Sequence, residues 1–181
     1  VHRLVAGPAT VAFGHYDPAK PGVLRARSGD IVEVTTMLTS SPTRLVEMGL
    51  PADEVQPNLA AIYEQVTDRG PGGHILTGPI HVEGAEPGDV LAVTLIDIEP
   101  DQYGYTVIVP GFGFLRDRYT EPFLVNWQLT RIGAVSDQMP NIRVPYEAFP
   151  GSIGVMPGEE ELSAWLERER ALGEAGGVVL A

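Results

Sequence analysis

Glycine and proline interrupt this chain so often that no long regular element can run through most of it. The 21 glycines and 16 prolines among 181 residues are spread along its whole length rather than gathered in one tail. Glycine supplies the positive backbone angles of tight turns, and proline fixes φ and removes a donor, so the pattern predicts short strands joined by turns. A mainly β fold follows, barrel-like or sandwich-like. The runs between interruptions agree: I-V-E-V-T-T-M-L at 31–38, V-L-A-V-T-L-I-D-I at 90–98, Y-T-V-I-V at 105–109 and F-L-V-N-W-Q-L at 123–129 favour β-branched and aromatic residues. The second run is apolar on both faces, which predicts a buried strand.

Two segments keep the helical period instead. Leu59, Ile62, Tyr63 and Val66 fall at i, i+3, i+4 and i+7 behind Pro57, predicting a short amphipathic helix over about 57–68. A second helix is predicted over about 159–172, opening on Glu159 and Glu160, carrying Leu162, Trp165, Leu166 and Leu172, and stopped by glycines. The resulting organisation is a β-rich domain over 1–150, followed over 151–181 by a helix and the start of a strand in G-G-V-V-L-A.

Charge and residue usage then exclude whole classes of partner. With 12 basic and 24 acidic residues the formal charge is −12, which repels nucleic-acid phosphates and anionic lipid surfaces. The chain has no cysteine, which removes disulfides, thiolate ligands and a cysteine nucleophile and makes a cytoplasmic setting the simplest expectation. No apolar run approaches the roughly 20 residues needed to span a bilayer.

Gly-Asp precedes an apolar run twice, in S-G-D-I-V-E-V and P-G-D-V-L-A-V. In both, the ordinary expectation is a turn closed by the aspartate side chain, although Asp30 and Asp89 also qualify as metal ligands by residue type. The chain lacks the Walker phosphate loop, the H-E-x-x-H zinc helix and the G-x-S-x-G elbow. Of its four histidines, His2 lies near a terminus, His15 sits at a turn in F-G-H-Y-D-P where it admits a structural or a functional role, and His81 falls on the expected solvent face of a strand. His74 is different: in G-G-H-I-L-T-G-P the glycines leave the imidazole without bulky neighbours, the setting in which a loop presents a group to a ligand.

Several segments together resemble the acetamidase/formamidase family of small-amide hydrolases. They are F-G-H-Y-D at 13–17, S-G-D-I-V at 28–32, G-G-H-I-L-T-G-P-I-H-V-E-G-A-E-P-G-D-V-L at 72–91, the stretch from Y-G-Y-T through P-G-F-G-F-L-R-D to V-N-W at 103–127, I-R-V-P at 142–145 and F-P-G-S-I-G-V-M-P at 149–157. The resemblance implies hydrolysis of a short carboxamide to a carboxylate and ammonia, in a mainly β protein that commonly oligomerises. Amide hydrolysis needs an activated water, a polarised carbonyl and a proton for the departing amine. On that footing His74 and Asp117 are the expected catalytic groups, Phe112 and Phe114 the expected apolar wall of the substrate pocket or part of the core, and Asp30 with His74 the expected ligands of a divalent metal, zinc or calcium.

Relatives of this kind continue through a G-G-N-x-D and a G-D-G-H/Q-G-D-G-E segment, neither of which occurs in residues 1–181. The expectation is therefore the N-terminal half of such an amidase, a split or cleaved enzyme or a fragment, active with a partner chain that carries the C-terminal half. A non-catalytic binding module and a purely structural subunit are the alternatives.

Overall fold

A computed structural model of the chain describes residues 1–176. Along it run β1 (His2–Leu4), β2 (Val11–Phe13), β3 (Leu24–Ala26), β4 (Val32–Val34), α1 (Pro42–Glu47), α2 (Pro57–Gln65), β5 (Ile75–Thr77), β6 (Ile80–Val82), β7 (Tyr103–Ile108), β8 (Phe123–Thr130), β9 (Gly133–Val135), β10 (Arg143–Pro145) and α3 (Glu159–Glu174), with a 3-10 turn at Ala52–Glu54. The fold is mainly β with few helices, as expected, and among the described residues its strands close no barrel. The expected strand at the end of the chain lies outside the described residues.

The chain packs as two units, the first formed by Val1–Ser41, Gln56–Ala92 and the residues from Ser152 on, the second by Pro42–Val55 and Val93–Gly151. In the first, strands pair two by two: β1 with β4 and β3 with β6 in parallel, β2 with β5 antiparallel. All three residues of β2 are buried, and Leu59 and Ile62 of α2 are fully so. The helical period thus placed its apolar face correctly. The helix stops at Gln65, short of the expected 68, because Arg69 turns back on it: its Nε donates to the Val66 carbonyl at 2.8 Å and a terminal nitrogen donates to that of Tyr63. The Arg69 guanidinium also lies 4.8 Å from the Phe13 ring centre and 5.1 Å from that of Tyr63, while the two rings meet edge to face at 5.1 Å. One cation therefore fastens the end of α2 to β2.

Helix α3 forms where the charge pattern places it, with Glu159, Glu160 and Glu161 in its first turn. None of its residues is buried, so its apolar stripe, including Trp165 and Leu166, is not a core face among the described residues.

The second unit is an antiparallel sheet in the order β10-β9-β8-β7. The expected strands at 105–109 and 123–129 appear here as β7, which begins and ends earlier than expected, and β8, which is one residue longer. Leu124 and Val125 of β8 are buried, as are Leu45 and Leu50 at and after α1. Gln138 braces β8, accepting from the Asn126 amide at 2.8 Å and donating to the Leu124 carbonyl at 2.9 Å.

The run at 90–98 departs from expectation. It forms no strand, and Val90 and Ile96 are 95% and 71% exposed. A sequence apolar on both faces is buried only when a strand pairs with it and layers cover both sides, and among the described residues no strand does so. Its far end is held by polar contacts, Arg131 with Asp97 at 3.1 Å and the Tyr146 hydroxyl donating to the Ile98 carbonyl. Among the described residues no helix is long and apolar enough to cross a membrane.

Leu59 has no exposed surface, so Leu59→Ala leaves a cavity and should lower unfolding free energy by about 2–5 kcal/mol. Urea denaturation followed by circular dichroism measures this; a loss under about 0.5 kcal/mol would contradict the packing described.

Candidate functional site

The antiparallel pairing of β2 with β5 brings two glycine-rich loops into contact at the end of the ladder. Gly14 donates to the His74 carbonyl at 2.8 Å, Gly72 donates back to Gly14 at 3.1 Å, and Gly70 donates to Phe13 at 2.8 Å. Side chains have no room in this weave. A Cβ on Gly14, whose φ is +80°, would fall 2.3 Å from the Gly72 carbonyl oxygen, and one on Gly70 would fall 2.5 Å from the His15 Cβ. The glycines around His74 thus serve backbone contact first. The histidine they leave uncrowded is exposed.

Where the loops cross, a cavity of about 80 Å³ opens, lined by Gly14, His15, Tyr16, Gly72, His74, Leu76 and Ser152. It has room for about two or three waters at some 30 Å³ each, and for a ligand of a few heavy atoms. Two imidazoles border it, the side chain most often used as a general acid or base. A larger depression of about 560 Å³ lies over the β7-β8-β9 face, lined by Trp127, Leu129, Val144 and Phe149 among others. Its acid–base groups are only Glu147 and Tyr105, so the chemistry points to the smaller cavity.

Beside that cavity His15, Asp17 and Asp68 gather, with one ligand atom from each lying within 4.8 Å of the others. The His15 Nε2 is buried without a hydrogen-bond partner, although the Asp68 carboxylate is 3.5 Å away. A contact of that length is an electrostatic one rather than a hydrogen bond. Asp17 accepts from the Ala19 amide at 2.9 Å, and Lys20 approaches Asp68 at 3.4 Å. One imidazole with two carboxylates is a donor set that suits zinc better than calcium, which prefers oxygen alone. The unpartnered nitrogen fits a cation there, whereas the lysine ammonium competes for the same charge.

His74 lines the cavity. Asp30 closes its own turn: its carboxylate accepts from the Arg27 amide at 2.8 Å and meets His2 Nε2 at 3.1 Å. Asp89 repeats the device on the Glu86 amide at 2.9 Å, and the glycine before each aspartate has positive φ. Neither Asp30 nor His74 belongs to the His15 group. Asp117, Phe112 and Phe114 belong to the second unit, on the loop after β7; Asp117 is exposed, and the rings are 79% and 106% exposed. Asp68 and Ser152 escaped the sequence reading. Asp17 was within reach, two residues beyond His15, but Asp68 is brought there only by the Arg69 clamp and the Gly70 bond.

Comparison with known proteins bears on the whole arrangement. The sequence profile described as "Acetamidase/Formamidase family" matches residues 66–181. The acetamidase of Mycolicibacterium smegmatis is 39% identical over a match covering 55% of this chain and 28% of that protein. The formamidase of Methylophilus methylotrophus is 36% identical, with 53% and 25% covered. Among solved structures, the gamma lactamase from Delftia acidovorans superposes with a TM-score of 0.71 at 23% identity, covering 99% of this chain and 44% of its own. Bacillus halodurans acetamidase gives 0.53 at 22%, with 79% and 42% covered. The chain thus matches about a quarter of the length of these curated relatives and under half of the solved ones.

The backbone bond from Arg27, followed by the contact with His2, holds the Asp30 carboxyl below its ordinary range. A depressed pKa contributes stability above the unfolded carboxylate value near 4 that is lost as pH falls through the folded one. The Arg27 amide resonance should therefore show an acid-side movement at pH below about 4, and Asp30→Asn should abolish it. An acid-side movement that persists in Asp30→Asn would contradict the assignment.

Proposed function

Since the chain belongs to the acetamidase/formamidase family, we propose that it hydrolyses a short carboxamide, formamide-like or acetamide-like, to the carboxylate and ammonia at the cavity bordered by His15 and His74. The observation that carries this reading is the cavity itself: at about 80 Å³ it suits an amide of a few heavy atoms and places two imidazoles on its wall. Drug-sized ligands need about 300–1,000 Å³. His74, uncrowded and open to solvent, is the group best placed to give a proton to the departing amine.

His15, Asp17 and Asp68 would hold a divalent cation, zinc in preference to calcium. When bound, such an ion supplies Lewis acidity and lowers the pKa of water.

The amidase reading extends to a second polypeptide, a C-terminal-half chain, in a homo- or hetero-oligomeric enzyme of the cytoplasm. Support comes from large apolar side chains that stand exposed and that a partner chain could cover. In the second unit Ile96, Phe112, Phe114 and Ile132 are 71%, 79%, 106% and 80% exposed. Asp117 lies on the same loop as the two phenylalanines, so its catalytic part is proposed only within that completed enzyme. Exposed apolar surface alone equally suits a subunit that merely stabilises another chain. The histidine-lined cavity favours the amidase, because such a subunit has no use for it.

Assayed with the polypeptide that supplies the rest of the family's length, the chain should release ammonia from formamide. His74→Ala should lower kcat/KM by about 10²–10⁴, the usual contribution of a general acid or base, while His81→Ala, on the exposed face of β6, should not. An undiminished His74→Ala enzyme would remove that histidine from the mechanism. Chelation with dipicolinate should lower the rate and added zinc should restore it; indifference to both would overturn the cation assignment.

A further inference from the structure

We propose that Tyr16, seated against the bare backbone of Gly154, is the wall that limits the cavity to amides with short acyl groups; the inference rests on the amidase reading of that cavity. Tyr16 lines the cavity together with Gly72, Leu76 and Ser152. Its ring occupies the space that a side chain at position 154 would take. A Cβ there would lie 3.1 Å from each of Tyr16 Cε1, Cζ and Oη.

Nothing else in the loop demands a glycine at 154. Its φ is not among the positive ones, so the backbone accepts an L-residue, whereas nearby Gly151 has no atom within 4 Å of where its Cβ would stand. The three atoms nearest to where a Cβ at 154 would stand all belong to the Tyr16 phenol, so the missing side chain is what seats it. That seat is shallow. At 3.1 Å the ring must give by a few tenths of an ångström to admit even a methyl, and Tyr16 is 37% exposed, so it is packed on one side and wet on the other.

Small displacements matter at this size. Formamide, acetamide and propionamide differ by one carbon at each step, and in an apolar pocket one methylene changes kcat/KM by about 10–200-fold. In a cavity of about 80 Å³, loss of a phenol ring opens room for the longer acyl chains, and pressure on the ring from position 154 reduces it. Tyr16 thus determines specificity and carries no proton.

The test compares kcat/KM for propionamide with that for formamide within each variant of the completed enzyme, a ratio that does not depend on how much of a variant folds. Tyr16→Ala should raise the ratio at least tenfold, Tyr16→Phe should leave it unchanged, and Gly154→Ala should lower the acetamide-to-formamide ratio. An unchanged ratio in Tyr16→Ala, or a higher one in Gly154→Ala, overturns the proposal while leaving the amidase reading intact. Wild-type enzyme that turns over none of the three amides overturns the amidase reading instead. Amide binding then decides on Tyr16: propionamide at millimolar concentration should shift the Leu76 methyl resonances in Tyr16→Ala but not in wild type, and equal shifts in both would overturn it.

Discussion

Two backbones touch at Gly14 and Gly72, and the first unit is arranged around that contact. The bond from Gly72 to the Gly14 carbonyl and the one from Gly14 to His74 extend the β2–β5 ladder into both loops. Contact this close is open only to residues without a Cβ, as the 2.3 Å approach at Gly14 demonstrates. Substituting either glycine would separate the loops, and with them His15 from His74. The geometry of the cavity is thus stored in missing side chains rather than in attractive ones, which is why so much of the site reads as glycine.

A second layer of support comes from the rim. Arg69 closes α2, stacks over Phe13 and Tyr63, and so delivers Asp68 to His15. The charge balance there is tight: two carboxylates face one imidazole and one ammonium. A cation entering the group would satisfy the buried His15 nitrogen but contend with Lys20 for Asp68. The acid–base role proposed for His74, which is not a member of that group, stands clear of the competition.

Legibility from sequence followed the range of the interaction that fixed each element. Helix α2 was readable because its apolar positions recur within a single run and bury locally. The Gly-Asp turns were readable because the aspartate bonds to an amide three residues back, at both Asp30 and Asp89. Helix α1 left no signal, since six residues are too few for a period to show. The run at 90–98 misled because apolar residues on both faces describe what a segment needs, and the described residues lack the strand and layers that would meet the need. The site was half legible: His74 stood out by its glycines, whereas Asp68 and Ser152 reach it through folds of the chain that no local pattern encodes. His15 was visible as a residue, and its unpartnered nitrogen only as a structure.

The proposed small-amide site lies where the two glycine loops cross. The most direct measurement is a formamide titration of the chain labelled at its histidine rings, read as chemical-shift changes at all four. Saturable shifts are expected at His15 and His74, on the cavity wall, with His2 and His81 unmoved. Equal drift of all four rings, or shifts confined to His2 or His81, would contradict it.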